Sequence, residues 1–309
     1  MSDMQEYLVT EELEHYRDGW ISRREFIRRA VIIGVSTAAA ASMAQTVIPA
    51  RAAPVAARQA SRFSVADRDP RVRSKMISYR STDGKALMAY MAWSAEAAMD
   101  SSQPGIAISP RNQGLHPHHM DVARRFAVQG YVAIAPDQIT RNGPPAIELS
   151  EDARRAAYAA LDSEQTARDM LAALDVLKAH PAVDSAKLAA TGYCAGGSVI
   201  WRLATLAPDL TAAAPFYGTN PPIAEVPNIH AAMLGVYADR DERVNAGIPE
   251  IREAMDAAGT TYAINVYPES VHGFHDDSED TFNPATAHQA YIDTLNWFAQ
   301  HLNLAPPRI

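Results

Sequence analysis

The residues best suited to chemistry lie at positions 188–200, which read L-A-A-T-G-Y-C-A-G-G-S-V-I. An apolar run at 188–190 leads into the glycine-flanked Cys194, and a helical pattern begins at Ser198. This order predicts a strand, a sharp turn and a helix, the arrangement that lifts a nucleophile above the edge of a sheet. Glycines are needed there because the strained turn brings the backbones of the strand and the helix too close for side chains.

Cys194 is therefore predicted to be a reactive thiol. At a helix N-terminus, unpaired backbone N–H groups and the helix dipole favour thiolate over thiol. The alternative is a structural cysteine, since free cysteine is often buried, but that role does not require glycines at this spacing. Cys194 is the only cysteine in the sequence, so an intramolecular disulfide is excluded.

A thiol nucleophile needs a base, and the base needs a group that orients it. His272 follows the last predicted strand, in S-V-H-G-F, and Asp241 follows the preceding strand, in A-D-R-D-E-R-V. Asp239 is a competing acid in the same segment. The chain order of nucleophile, acid and histidine is that of α/β-hydrolases.

Segments with strand and helix patterns alternate over the C-terminal three quarters of the chain. Strands are predicted at 76–79, 86–93, 106–109, 131–135, 187–193, 211–217, 231–237 and 262–267, and helices at 120–128, 150–180, 248–258 and 286–302. The first two strands flank an Asp-Gly turn and should form a hairpin. The rest predict an α/β fold, the α/β-hydrolase fold, with a mostly parallel sheet covered by helices on both faces. Ligands then bind at the carboxyl ends of the strands.

Composition places the chain among ordinary globular proteins. It has 309 residues, a formal net charge of −8 and 48% hydrophobic residues. The scattered, mildly acidic charge argues against nucleic acid as a partner. The glycines at 192–197 do not have dinucleotide-binding spacing, and we expect no cofactor. His116, His118 and His119, with nearby Asp121, lack the spacing of a zinc site, so we expect no metal.

Residues 1–52 are predicted to be an export signal. S-R-R-E-F-I at 22–27 resembles the twin-arginine signal, and an uncharged, alanine-rich stretch follows at 30–44. That stretch is too short to span a bilayer, and A-R-A at 50–52 is typical of a cleavage site. The twin-arginine export machinery is the implied partner, with a periplasmic or secreted product that is not inserted in the membrane. The acidic lead at 1–20 is unusual, and a retained amphipathic helix in a cytoplasmic protein is the alternative. We predict a linker at 53–73 and a catalytic domain at 74–309.

The elbow at Cys194, the acid segment and the H-G-F motif followed by a helix bearing Tyr291 resemble the dienelactone hydrolase family over residues 75–302. The resemblance implies a hydrolase for a small-molecule lactone or carboxylic ester, with Cys194 as nucleophile, Asp241 as acid and His272 as base. The family places its acid three residues before a valine, which matches Val244 and favours Asp241 over Asp239.

Two backbone N–H groups would form the oxyanion hole. One belongs to Ala195, the residue after the nucleophile, and the other to the loop that follows strand 106–109. That loop reads P-R-N-Q-G. The resemblance points to Asn112 as the second donor.

The sequence departs from the family at two positions. Arg111 stands where the family usually carries a glutamate that contacts the resting thiol, and a cation beside Cys194 predicts a resting thiolate. Family members that act on dienelactone hold its carboxylate with two arginines. Arg141 stands at the position of the first arginine, whereas Asp276 stands at the position of the second. Arg111 is a candidate replacement, so the substrate stays open between an acidic dienelactone and a neutral ester, lactone or thioester.

A different class of function is a redox-sensitive thiol or a ligand-binding protein on a hydrolase fold without esterase activity. Asp241 and His272 in the correct order favour hydrolysis, since thiol oxidation requires neither. The remaining charged clusters are interpreted as solvated surface: the loop at 275–277 and the arginine pairs at 124–125 and 154–155.

Overall fold

A computed structural model of the chain describes residues 1–49, 60–97 and 102–308. Its centre is an eight-stranded sheet with the strand order β1-β2-β4-β3-β5-β6-β7-β8. The strands are β1 (Val72–Arg80), β2 (Ala86–Ser94), β3 (Gln103–Ser109), β4 (Val132–Asp137), β5 (Val183–Tyr193), β6 (Ala212–Phe216), β7 (Ala232–Ala238) and β8 (Tyr262–Tyr267). β1 and β2 form the predicted antiparallel hairpin, and β3 to β8 run parallel. The predicted fold class is confirmed.

Helices cover both faces of the sheet. They are α1 (Asp3–Arg17), α2 (Arg23–Ile33), α3 (Thr37–Met43), α4 (Pro117–Val128), α5 (Glu151–Ala159), α6 (Ser163–Lys178), α7 (Ala195–Leu206), α8 (Glu242–Asn245), α9 (Ile248–Ala258) and α10 (Pro284–His301). Because side chains alternate along a strand, Ile106 and Ile108 pack with Phe126 of α4 on one face. Ala107 packs with Leu174 of α6 on the other. Two hydrophobic cores therefore enclose the sheet.

One predicted helix is wrong in its extent. The segment 150–180 forms two helices, α5 and α6, rather than one. Asp162 is the N-cap of α6 and its carboxylate accepts the backbone N–H of Gln165 at 2.7 Å. An aspartate at this position favours a helix start over a helix interior, which the apolar periodicity alone did not reveal.

The N-terminal segment packs against the catalytic domain. Leu8 of α1 and Phe26 of α2 are fully buried in the same core as α4 and α10. The predicted cleavage site at 50–52 lies outside the described residues. Within the described part of the chain, none of the helices has the length and apolar character needed to cross a membrane.

Residues 60–71, which fall in the predicted linker, lie on the surface of the domain without regular secondary structure. Asp121 of α4 holds them, because its carboxylate accepts the Ser64 hydroxyl at 2.9 Å and the Val65 backbone N–H at 2.6 Å. β1 begins at Val72, two residues before the predicted boundary.

The backbone is strained and closely packed at the turn that carries Cys194. Cys194 has φ 57° and ψ −124°, a conformation that residues with a side chain rarely adopt. A Cβ atom at Gly196 would lie 2.3 Å from the Ser109 carbonyl oxygen, and one at Gly197 would lie 2.3 Å from the Phe216 carbonyl oxygen. The first turn of α7 is therefore wedged between the ends of β3 and β6.

Replacing Gly197 by alanine should destabilise the domain strongly, because the new methyl group meets backbone that cannot move aside. We expect a loss of about 3 kcal/mol, which lowers Tm by about 6–12 °C, measured by circular dichroism. Gly143→Ala is the control, since its nearest neighbouring atom would be 4.0 Å away. Equal Tm values for the two variants would contradict this packing.

Candidate active site

Cys194 lies where β5 ends and α7 begins, at the carboxyl edge of the sheet. Its backbone N–H donates to the Phe216 carbonyl at 3.1 Å, which ties the elbow to β6. The side chain is 4% exposed. The predicted strand, turn and helix are all present, but the sulfur is covered rather than open to solvent.

His272 and Asp241 come from the loops after β8 and β7. The Nδ1 atom of His272 lies 2.6 Å from the Asp241 carboxylate, and Asp241 is buried. Asp239, the competing acid, accepts the backbone N–H groups of Glu269 and Ser270 at 2.8 and 2.9 Å. Asp239 therefore shapes the loop, and Asp241 is the carboxylate that orients the imidazole.

The imidazole reaches toward the thiol. A ring nitrogen of His272 and the Sγ atom of Cys194 lie within 4.8 Å of each other, and Nε2 lies 3.7 Å from the Glu11 oxygen that accepts the thiol. Nε2 is buried and makes no hydrogen bond within the described part of the chain. A small side-chain movement brings such a pair to hydrogen-bonding distance, and pairs of this kind are often longer in the absence of substrate.

Glu11 is the residue that sequence reasoning missed. Its carboxylate, carried by α1, accepts the Cys194 thiol at 3.1 Å and lies 3.7 Å from His272 Nε2. The Asn112 side chain donates to its other oxygen at 3.0 Å. The only indication in the sequence was the unusual acidic character of residues 1–20. No local pattern indicates which distant group an acidic residue of that segment contacts.

The charges around the sulfur favour the neutral thiol. Burial, together with the negative charge of Glu11, raises the pKa of Cys194 above its ordinary value, and His272 opposes this only in part. Although burial favours neutral imidazole, the Asp241 carboxylate raises the pKa of His272 well above its usual range. The predicted resting thiolate is therefore wrong for this closed arrangement.

Arg111 does not act as an isolated cation beside the sulfur. Its guanidinium lies 3.3 Å from the Asp276 carboxylate and hydrogen-bonds Glu279 and, at 3.2 Å, His116. It does line the small cavity next to Cys194. The carboxylates of Asp276 and Glu279 neutralise the charge of Arg111. For this reason Arg111 does not stabilise the thiolate of Cys194 as expected.

Arg141 lies away from this cavity. It pairs with Asp83 at 2.8 Å and with Asp169 at 2.6 Å, and it lines neither of the two cavities that adjoin the elbow. The structure therefore does not bring Arg141 together with Cys194, and its guanidinium links the turn after β1 to α6.

The two predicted oxyanion donors lie on facing backbones. Ala195 opens α7, and Asn112 lies in the loop after β3, with both residues buried. The close approach of Gly196 to the carbonyl groups of Ser109 and Pro110 presses α7 against that loop. The elbow and the loop thus form one wall of the site.

The segment at 275–277 is not a solvated loop. His275 and Asp276 are buried, and Asp277 accepts Arg125 at 2.8 Å and the Ser61 backbone N–H at 2.8 Å. The expectation of a solvated surface was also wrong for Arg124, Arg125 and Arg155, which are buried because each pairs with a carboxylate distant in sequence.

Among the residues that the structure describes, two groups of side chains have the donor types of a metal site. One is Glu11, Cys194 and His272, and the other is His118, Asp276 and Asp277. Hydrogen bonds already engage the carboxylates of the second group, including the 2.6 Å contact between Asp277 and His118 Nδ1. The ion pairs account for the burial of that group.

A small cavity and a larger one adjoin the elbow in the described part of the chain. The smaller, about 60 Å³, lies between Glu11, Arg111, Cys194, His272 and Asp276. The larger, about 580 Å³, is a cleft near the N-terminus of α1, lined by residues of α1, α6 and α7 that include Tyr7 and Ala195. The cleft is large enough for a small organic molecule.

The pKa of the thiol can be measured by alkylation with iodoacetamide across pH. We expect the inflection above the ordinary thiol value of 9.0, because burial and Glu11 disfavour the thiolate. Glu11→Gln should lower that inflection, and Glu6→Gln, on the exposed side of α1, should not. A wild-type inflection below 9.0 would contradict this electrostatic description.

Comparison with known proteins identifies relatives of this chain. A protein of Methylorubrum extorquens named "Putative carboxymethylenebutenolidase" is 29% identical over 68% of this chain and 76% of its own length. One of the same name from Yersinia pestis is 33% identical over 61% of this chain and 74% of its own. The crystal structure of a "Putative Dienelactone Hydrolase" from Klebsiella pneumoniae has a TM-score of 0.66 at 30% identity, covering 74% of this chain and 99% of its own.

The model of the "Dienelactone hydrolase family" matches residues 87–302. That range runs from β2 to the end of α10 and contains Cys194, Asp241 and His272. The resemblance seen in the sequence is thereby confirmed, and the chain belongs to the dienelactone hydrolase family.

Proposed function

We propose that this protein hydrolyses a small lactone or carboxylic ester by acyl transfer to Cys194. The observation that carries the proposal is the alignment of three side chains: the Asp241 carboxylate lies 2.6 Å from His272 Nδ1, and the imidazole has a ring nitrogen within 4.8 Å of the Cys194 sulfur. The names of the carboxymethylenebutenolidase relatives support a lactone as the substrate class.

In the first half of the reaction, Cys194 Sγ attacks the carbonyl carbon while its proton passes to Nε2 of the neutral form of His272. The backbone N–H groups of Ala195 and Asn112 stabilise the oxyanion. As the intermediate collapses, the bond to the leaving oxygen breaks and His272 returns the proton to that oxygen. The product is a thioester on Cys194 and a free alcohol, or the ring-opened hydroxyl end of a lactone.

In the second half, His272 takes a proton from water, and the hydroxide attacks the thioester carbonyl. The Cys194 sulfur leaves and recovers the proton from imidazolium, releasing the carboxylic acid. Asp241 holds the imidazole with Nδ1 protonated and stabilises its charged form in both halves. No group outside this chain is required except water.

Hydrolysis is favoured over the redox alternative by the same side chains. Oxidation of a thiol depends on thiolate character and exposure, and Cys194 has a raised pKa and is 4% exposed. With α1 in place, neither property suits a peroxide sensor. An oriented histidine beside a neutral thiol is suited to acyl transfer, because the base removes the proton only as the sulfur attacks.

The charges of the small cavity favour an uncharged or cationic substrate. Asp276 and Glu279 outnumber Arg111, whose guanidinium they share, Asp241 pairs with His272, and Arg141 is paired elsewhere. A carboxylate on the substrate would thus meet an excess negative charge. At the effective dielectric of a protein surface, repulsion by this excess charge costs a substrate carboxylate about 1–2 kcal/mol. This cost lowers kcat/KM roughly tenfold.

We also propose that residues 1–52 direct export by the twin-arginine route. The support is S-R-R-E-F-I at 22–27, whose Arg23 and Arg24 side chains are exposed at the start of α2. Fusing residues 1–52 to a reporter tests it: export should require both arginines, and export of an Arg23→Lys, Arg24→Lys fusion at the wild-type level would refute it.

The catalytic assignment predicts large losses of activity on p-nitrophenyl butyrate. Cys194→Ala and His272→Ala should lose at least about 10³-fold in kcat, with the fold retained by circular dichroism. Asp241→Asn should lose substantially more than Asp239→Asn, the same change two residues away. Equal rates in wild type, Cys194→Ala and His272→Ala would instead support a non-hydrolytic protein.

The charge of the substrate can be tested with a matched pair. Wild type should favour p-nitrophenyl butyrate over mono-p-nitrophenyl succinate by roughly tenfold in kcat/KM, for the reason given above, with uncatalysed rates subtracted. Glu279→Gln should narrow that ratio several-fold because one negative charge is removed. Glu253→Gln, an exposed change on α9, should leave it unchanged. A wild-type preference for the succinate would overturn the assigned charge preference.

A further inference from the structure

The first turns of the chain cover the catalytic residues. Glu11 of α1 places one carboxylate oxygen 3.1 Å from Cys194 Sγ and 3.7 Å from His272 Nε2. In acyl transfer, the carbonyl group under attack must lie about 3 Å from the nucleophile and next to the base. Glu11 occupies that place. Asn112, whose loop supplies an oxyanion donor, binds the other oxygen of the same carboxylate.

The space left beside the sulfur is too small for a substrate. The cavity there measures about 60 Å³, which corresponds to roughly two water molecules. Cys194 is 4% exposed, and Tyr7 of α1 brings its hydroxyl to 3.9 Å from Sγ. An ester with even a short acyl chain cannot reach the sulfur unless α1 moves.

Contacts on both sides of Glu11 hold α1 in place. Glu12, the next residue, is buried and forms ion pairs with Arg155 of α5 and, at 3.1 Å, with Arg29 of α2. Glu14 pairs with Arg243 of α8 at 2.7 Å. Two acidic residues of α1 therefore pair with arginines of the catalytic domain, Arg155 and Arg243.

Apolar contacts add to these ion pairs. Leu8 and Val9 are each 1% exposed, and Tyr16 stacks on Phe26 of α2 with ring centroids 5.9 Å apart. Burying such side chains favours the docked position by the hydrophobic effect. The helix is thus a fitted part of the structure, and the arginines of the catalytic domain recognise its acidic residues.

We infer that α1 is an intramolecular inhibitor, a cap whose Glu11 occupies the substrate carbonyl position, so that only the small uncapped fraction of the enzyme is active until the N-terminal segment is displaced or removed. The inference rests on the proposed function. Substrate then reacts only with the uncapped fraction, so the observed activity scales with that fraction. The same N-terminal segment carries S-R-R-E-F-I. A partner that binds Arg23 and Arg24 therefore binds the segment that also contains the cap.

Two variants weaken the docking of α1 without changing a residue of the catalytic site. One changes α1 itself, and the other changes a residue that α1 contacts. Leu8→Asp puts a charge into the buried face of α1, and Arg155→Met leaves Glu12 buried without its α5 partner. Ile48→Asp is the control, since it makes the same kind of change at a side chain that is 93% exposed. All three are made in the full chain.

The readouts are the rate of Cys194 alkylation by iodoacetamide and kcat/KM for p-nitrophenyl butyrate. We expect both to rise by at least about tenfold in Leu8→Asp and Arg155→Met, and to match wild type in Ile48→Asp. A Tm measurement on each variant confirms that it is folded. If one of the two variants does not fold, the rates of the other test the inference. A synthetic peptide of residues 1–20 should slow both rates again in the opened variants, and a peptide with Glu11→Gln should do so less.

The outcomes separate this inference from the proposed function. Faster alkylation without hydrolysis in any variant would support the cap and refute the hydrolase. Unchanged alkylation in both opened variants would refute the cap, whatever the hydrolysis rate. Faster alkylation combined with slower hydrolysis would also refute an inhibitory cap, because α1 would then contribute to the reaction.

Discussion

The strained backbone at Cys194 is the constraint on which the rest of the site depends. A residue with a side chain keeps φ 57° together with ψ −124° only where the surrounding structure enforces that conformation. Here the glycines of α7 lie directly against carbonyl groups at the ends of β3 and β6. The sheet in turn places the loops after β7 and β8 beside that elbow, so the sulfur, the imidazole and the carboxylate meet at one edge.

Local patterns were sufficient for most of the fold. The elbow, the hairpin with its Asp-Gly turn and the apolar strands depend on neighbouring residues, and a sequence read in order records those directly. The break at Asp162 was missed because a cap and a helix interior differ by one side-chain hydrogen bond. Asp241 was identified by a family spacing, and its geometry shows why Asp239, bound to two backbone N–H groups, has a different task.

The electrostatics of the site could not be predicted in the same way. Charges such as Arg111, Arg155 and Glu11 find partners that are 100 or more residues away, so neither the burial nor the sign of the local field is visible from spacing. The result is a site in which cations are already paired. Burial lowers the pKa of His116 to about 3 and that of His119 well below its usual value, so these side chains add no positive charge at neutral pH.

The central claim is that Cys194 becomes acylated during turnover. Rapid acid quenching of the full-length protein with p-nitrophenyl butyrate, followed by peptide mass spectrometry, measures this directly. We predict that a butyryl group is found during turnover on the peptide that contains Cys194. Turnover in which no acyl group is ever found on that peptide, or in which it is found on another side chain, would contradict it.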